Sequence, residues 1–201
     1  MRDWIKHPVM LESRRILLVP LVEQEIDQIA ASSLDERIWT HLPISGSEAD
    51  IRTALHEALR ARAQQTQYPF SIIDKQTGHT IGTTRLLKLD QANRTLEIGW
   101  TWYLPAYWGT GYNEECKLLL LNYCFDDLKT IRVAFIAGEK NLHSRKAIER
   151  LGAKFEGIFR NVAIRHDGKR SSACYSIIDD EWPETKVHLE NLVHSKLTSS
   201  R

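Results

Sequence analysis

The residues best suited to chemistry lie in two short stretches, each where an apolar helical pattern begins. In WGTGYNEE, Trp108 to Glu115, glycines at 109 and 111 precede a run in which Tyr112, Cys116, Leu119, Leu120, Tyr123 and Cys124 recur at helical spacing. A helix start leaves backbone N–H groups without intrahelical acceptors, and the helix dipole adds partial positive charge there. Glycines allow unusual dihedrals and let an anion approach the amides without meeting a Cβ. The stretch has neither the spacing nor the Lys-Ser/Thr ending of a P-loop, and its G-x-G lacks the third glycine of a dinucleotide fingerprint. The ligand it suits is a pyrophosphate held mainly by amides. A tight strand-to-helix turn made by Pro105, Gly109 and Gly111 explains the same residues, and Glu114 and Glu115 complement the dipole under either reading.

The second stretch is NLHSRKAIERLG. Asn141 stands at the mouth of the next helix, and Ser144 shares a stripe with Ala147, Ile148 and Leu151. A hydroxyl on a core-facing row needs a local hydrogen bond or a role in a site. An ordinary N-cap accounts for Asn141 alone, and a bond back to the turn accounts for Ser144 alone. Upstream, Leu96, Ile98, Trp100 and Trp102 alternate with Thr95, Glu97, Gly99 and Thr101, which predicts a strand with Glu97 off the apolar row.

The elements that must position these residues follow from pattern and punctuation. Arg14 to Leu21 reads as a first strand, and Glu23 to about Ser33 as a helix. A loop follows, ended by Ser47 as N-cap of a helix from Glu48 to about Gln65. Phe70 to Asp74, Thr80 to Leu89 and Arg94 to Leu104 form an antiparallel meander. Then come the glycine turn and its helix, a buried strand over TIRVAFIAG, a helix from Asn141 to Leu151, and a hairpin turning at Asp167 and Gly168. The lead-in, 1–13, is polar, and the tail from Glu181, broken by Pro183, reads as a helix fraying toward TSSR.

At 201 residues the chain suits one domain, 1–201, with an α/β (α+β) architecture. Its formal net charge of +1 gives no electrostatic footprint for nucleic acid, so a small partner is expected. The three cysteines form no C-x-x-C pair and read as reduced core residues; His56, Glu57 and His143 offer no metal spacing, so no metal is expected. No apolar run reaches membrane-spanning length and no secretory h-region opens the chain, which makes a soluble, cytoplasmic protein the expectation, with no membrane partner.

Together, LEIGWTWYLPAYWGTGYNEE and NLHSRKAIERLGAKFEGIFR resemble the GNAT acetyltransferases, and within them the branch of the ribosomal-protein alanine N-acetyltransferases. The resemblance covers most of the chain and is weakest before Tyr68 and after Glu181. It implies a mixed, mostly antiparallel central sheet flanked by helices, and an enzyme moving acetyl from acetyl-CoA to a primary amine by direct attack. The family's pyrophosphate loop maps onto Trp108, Gly109, Thr110, Gly111, Tyr112 and Asn113; Trp108 replaces the usual Gln or Arg, and Asn113 a small residue. In the family the strand before this loop splays from its neighbour and the opening takes the pantetheine arm along main-chain groups, which here fall at Trp102, Tyr103 and Leu104, with Asn141 binding the arm and Ser144 near the sulfur. Lys146, with Arg145, follows the serine and suits the outer phosphates as a point charge, and a solvated helix face explains both equally well.

The resemblance offers Glu97 as the base, acting through water, and a solvent-facing or ion-paired strand glutamate explains the same residue. The tyrosine that protonates the thiolate in many members is here Ile148, so Ser144 becomes the candidate acid, with Tyr175 as a second donor. Glu156 is family-like but also suits a sheet brace, and a carboxylate used in the ribosomal branch is here Ala163. Trp39 either lines the acceptor site or anchors its loop. The acceptor is a protein N-terminal amine or a small molecule such as a polyamine or amino-sugar antibiotic; a homodimer follows family habit. A non-catalytic acyl-CoA-binding module is the alternative.

Overall fold

The computed structural model describes residues 4–165 and 168–199. Its elements are β1 (Leu11–Glu12), β2 (Ile16–Pro20), α1 (Ile26–Ser32), α2 (Glu36–Trp39), α3 (Glu48–Ala63), β3 (Gln67–Asp74), β4 (Thr80–Asp90), β5 (Thr95–Tyr103), α4 (Tyr112–Asn122), β6 (Arg132–Gly138), α5 (Leu142–Arg150), β7 (Lys154–Arg165), β8 (Gly168–Ile178) and α6 (Trp182–Ser199). The eight strands form one sheet in the order β1-β2-β3-β4-β5-β6-β8-β7. All neighbours pair antiparallel except β5 and β6.

Helices cover both faces. Cys116 and Leu120 of α4, Ile148 of α5 with Leu151 just beyond its end, and Leu189 of α6 pack with Phe70, Leu86, Ile98 and Phe135 on one face. On the other, Ile26 and Ile29 of α1, Trp39 of α2 and Ile51 and Leu55 of α3 pack with Trp102. The three cysteines are buried and free. Among the described residues no helix is long and apolar enough to cross a membrane, and no cluster of metal-ligating side chains occurs.

Four expectations are corrected. The loop after α1 contains α2, a single turn, because the Asp35 side chain accepts from the Arg37 amide and the Trp39 indole donates to the Ser33 carbonyl at 2.6 Å. The strand expected from Phe70 begins at Gln67, since Tyr68 faces the core and its hydroxyl takes the Val9 amide. The tail is not broken at Pro183: α6 runs from Trp182 to Ser199, its Pro183 sits in the first turn where a missing N–H costs nothing, and Trp182, Leu189 and Val193 are buried, while the last two residues of TSSR lie outside the described residues. The alternation expected along β5 breaks at Trp100, as described below. Ser47 does cap α3, accepting from the Asp50 amide at 3.2 Å. β7 and β8 pair as the expected hairpin, although the Asp167 half of its turn lies outside the described residues.

Candidate active site

The site starts from a gap in the sheet. β5 and β6 pair only at Thr95, Leu96 and Glu97 with Arg132, Val133 and Ala134, so from Ile98 onward β5 has no strand partner on that side. Backbone donors and acceptors along an unpaired edge need partners, and an extended ligand arm can supply them. Next to the gap, β5 carries one extra residue. Arg85 pairs with Gly99 and Thr83 with Trp102, leaving a bulge at Trp100, whose φ is +50°. The bulge reverses the facing of the strand. Ile98 and Tyr103 lie in the core beneath α4, whereas Trp102 packs on Trp39 across the sheet, ring centroids 5.3 Å apart. The regular row Leu96–Ile98–Trp100–Trp102 therefore stops at Ile98.

Beyond β5 the chain turns through residues 104–111. Gly111 is the N-cap of α4 in the left-handed region, φ +89°, and Gly109 has φ +73°. The first amide to close the helix is that of Glu115, onto the Gly111 carbonyl at 3.1 Å; among the described residues, no amide from Gly109 to Glu114 has an acceptor in the chain. A Cβ built on Gly109 meets nothing within 4 Å, so the approach to these amides is open. The turn itself is braced. Thr110 Oγ1 donates to the Tyr107 carbonyl at 2.6 Å, the Trp108 indole donates to the Tyr103 carbonyl at 2.9 Å, and Arg15 from the approach to β2 donates to the Thr110 carbonyl at 3.2 Å. Tyr112 offers only its amide: its hydroxyl donates to Asp74 at 2.9 Å, and burial together with that carboxylate pushes its pKa up to about 12. Asn113 is half-buried. The acidic pair is neutralised, Glu115 by Arg15 at 2.7 Å and Glu114 by Arg150 of α5 at 3.1 Å.

The second stretch meets the first across the gap, α4 and α5 being tied by that Glu114–Arg150 pair. Asn141 caps α5, its Oδ1 accepting from the Ser144 amide at 3.0 Å, and its amide nitrogen has no partner among the described residues. Ser144 is half-buried at the helix mouth, and its hydroxyl makes no hydrogen bond among the described residues. Lys146 is exposed on the same helix. Arg145 is engaged elsewhere: it donates to the Tyr175 hydroxyl at 2.8 Å and to the Glu139 carbonyl at 3.2 Å. Tyr175 in turn donates to Glu149, and burial raises its pKa, so it is bound into a network on α5.

Glu97 sits at the closed end of the gap, largely buried, with Lys88 at 2.8 Å. Glu156 is a brace. Arg132 holds it from β6 and Ser176 from β8, and the arginine pulls its pKa down to about 2. Trp39 is 4% exposed and anchors its loop, with Gly46 packed on its ring.

Two neighbours of the gap were not singled out by sequence. Arg15 lies far from the turn in the chain, and nothing local marks it. Lys117 carries a legible signal: it shares an i, i+3, i+4, i+7 row with Leu120, Leu121 and Cys124, a place for an apolar residue.

Residues 15–154 match the family described as Acetyltransferase (GNAT) domain. The chain is 22% identical over 171 residues to the uncharacterized N-acetyltransferase YoaA of Bacillus subtilis strain 168, covering 84% of this chain and 96% of that protein. It is 33% identical over 109 residues to the "Putative ribosomal N-acetyltransferase YdaF" of the same strain, covering 54% of this chain and 59% of that protein. A GCN5-related N-acetyltransferase from Brucella melitensis superposes with a TM-score of 0.86 at 29% identity, over 94% of this chain and 86% of that one. Mycobacterium smegmatis RimJ, at 16% identity and a TM-score of 0.79 over 92% and 95% of the two chains, shares the fold. With its glycine turn, its parted strands and most of its length inside that family match, the chain belongs to the GNAT N-acetyltransferases and is an acyltransferase.

Proposed function

We propose that the chain transfers acetyl from acetyl-CoA to a primary amine by direct attack, and that the acceptor is a protein N-terminal amine. The observation that carries the cofactor assignment is the row of amides without acceptors from Gly109 to Glu114, beside a strand edge left unpaired from Ile98. An anion at the helix start satisfies those donors, and an extended arm satisfies the edge. The residues present fit coenzyme A in that orientation. Its pyrophosphate is assigned to the amides of Gly109, Thr110, Gly111, Tyr112 and Asn113, its pantetheine arm to the main chain of Trp102 and Tyr103 and to the side-chain amide of Asn141, and its outer phosphates to Lys146. The Trp108 amide is spent on the Pro105 carbonyl at 3.1 Å, and Leu104 bonds Ile81 and Tyr107 through its own amide and carbonyl, so these two residues shape the site without donating to the cofactor. The RimJ structure of the shared fold holds a CoA-disulfide, and the name of YdaF points to a ribosomal acceptor.

The chemistry needs a neutral amine and hydrogen-bond donors where charge develops. Glu97, at the closed end of the gap, takes the amine proton through water once Lys88 swings aside; that lysine is exposed and its pair is weakly held. The unbonded hydroxyl of Ser144 donates toward the sulfur. Acetyl-CoA turnover with an Ala- or Ser-initiated peptide, with spermidine and with an amino sugar tests the acceptor. The peptide is expected to be favoured, and Glu97→Gln to lower kcat by about 10²-fold or more. Preference for spermidine or the amino sugar contradicts the protein acceptor, and an unaltered kcat in Glu97→Gln contradicts the base.

A further inference from the structure

Lys117 is a cation with no counter-ion in the interior of α4. It is 5% exposed, and no carboxylate lies within ion-pair distance of it among the described residues. Its neighbours Glu114 and Glu115 are turned to Arg150 and Arg15. Its ammonium donates to Thr101 Oγ1 at 2.6 Å, and Thr101 Oγ1 lies 2.7 Å from the hydroxyl of Thr84. A buried ammonium with one partner and no counter-ion is costly to hold.

Either hydroxyl can donate in the Thr84–Thr101 bond. Thr84 is fully buried and has no other side-chain partner, so donation by Thr84 is the arrangement that leaves no buried hydroxyl hydrogen stranded. Thr101 Oγ1 then accepts from both Lys117 and Thr84, which fills its lone pairs and leaves its own proton unclaimed. Thr101 is half-buried, follows the bulged Trp100 directly, and stands on the stretch of β5 that has left β6. The free proton is therefore at the wall of the gap, on the helical side from which Ser144 also approaches.

We infer that Lys117, acting through the Thr101 hydroxyl, is the proton source for the thiolate that leaves when acetyl is transferred; this rests on the acetyl-CoA reading above. As the amine nitrogen bonds to the thioester carbonyl carbon, the carbon–sulfur bond breaks and its electron pair stays on sulfur. The Thr101 hydroxyl gives its proton to that sulfur and takes one from the Lys117 ammonium. The amine's surplus proton leaves by way of Glu97, and Lys117 is reprotonated from solvent. Burial lowers the Lys117 pKa to about 8, which suits a group that must give up a proton to a thiolate near neutral pH. The other titratable groups at this spot, Cys116 on the same helix and Tyr103 from β5, are both pushed up by burial and stay neutral.

The test needs no acceptor. Coenzyme A is bound to the full chain and its thiol is titrated by the ultraviolet absorbance of the thiolate, in the wild type and in Lys117→Met, Thr101→Val and Thr101→Ser. A nearby ammonium and a hydroxyl donor favour the thiolate, so Lys117→Met and Thr101→Val are each expected to raise the bound thiol's pKa by about one unit, and Thr101→Ser to leave it in place. Thr101→Val preserves side-chain shape and carries the test alone if Lys117→Met does not fold. A titration unmoved by the folded variants overturns the inference and leaves the cofactor reading standing. Failure of coenzyme A to bind the wild-type chain removes both.

Discussion

Gly111 and Gly109 look alike in the sequence and differ in what surrounds them. Both have positive φ, where an L side chain costs roughly 1–2 kcal/mol. A Cβ on Gly111 would also come within 2.8 Å of Lys196 Cβ and 3.3 Å of an Arg15 guanidinium nitrogen, whereas one on Gly109 meets open space. Gly111→Ala should therefore destabilise the chain by more than Gly109→Ala, which should cost about 1 kcal/mol. Urea unfolding of the two variants checks this, and equal losses would mean that α6 is not seated on the turn as described. The two glycines were readable as a turn because their type alone carries the information. Lys196, which makes one of them intolerant, stands 85 positions later by number and leaves no local trace.

Elements with a clear period were legible: α3, β4, β5, α4 and α5 stand where pattern and caps put them, and β3 differs by its earlier start at Gln67. The parting of β5 from β6 was expected only from resemblance, because pairing between strands separated by a helix is not written in either strand. The bulge at Trp100 was missed for a related reason. Alternation in sequence assumes an unbroken pleat, and one extra residue turns every later side chain over. Arg15 shows how elements distant in the chain share one task. It bonds Glu115 of α4 and the Thr110 carbonyl while stacking over Tyr112 at 4.4 Å, so the approach to β2 clamps the end of the glycine turn to the start of α4. Arg15→Met leaves Glu115, almost wholly buried, without its counter-charge, and a loss of about 3 kcal/mol is expected. Denaturation with and without coenzyme A should show both lower stability and weaker binding. Lower stability with unchanged affinity would restrict Arg15 to holding the fold.

The sheet places the gap where two layers meet. α4 and α5 bring amide donors, Asn141 and Ser144 from one face, and α1 to α3 close the other face behind Trp39 and Trp102. The family architecture was legible from two motifs of about twenty residues each, since those motifs build the gap directly. The acceptor was not: the resemblance is weakest before Tyr68, where α1, α2 and the loop to α3 follow a local logic of caps and a buried indole.

The most direct measurement is the melting temperature of the full chain with and without saturating coenzyme A, because a ligand that binds only the folded state raises it by mass action. A clear rise in the wild type that disappears in Gly109→Trp, whose side chain would enter the open space in front of the amides, is the expected result. No rise at saturating coenzyme A would contradict the cofactor site and reduce the glycines to a tight turn.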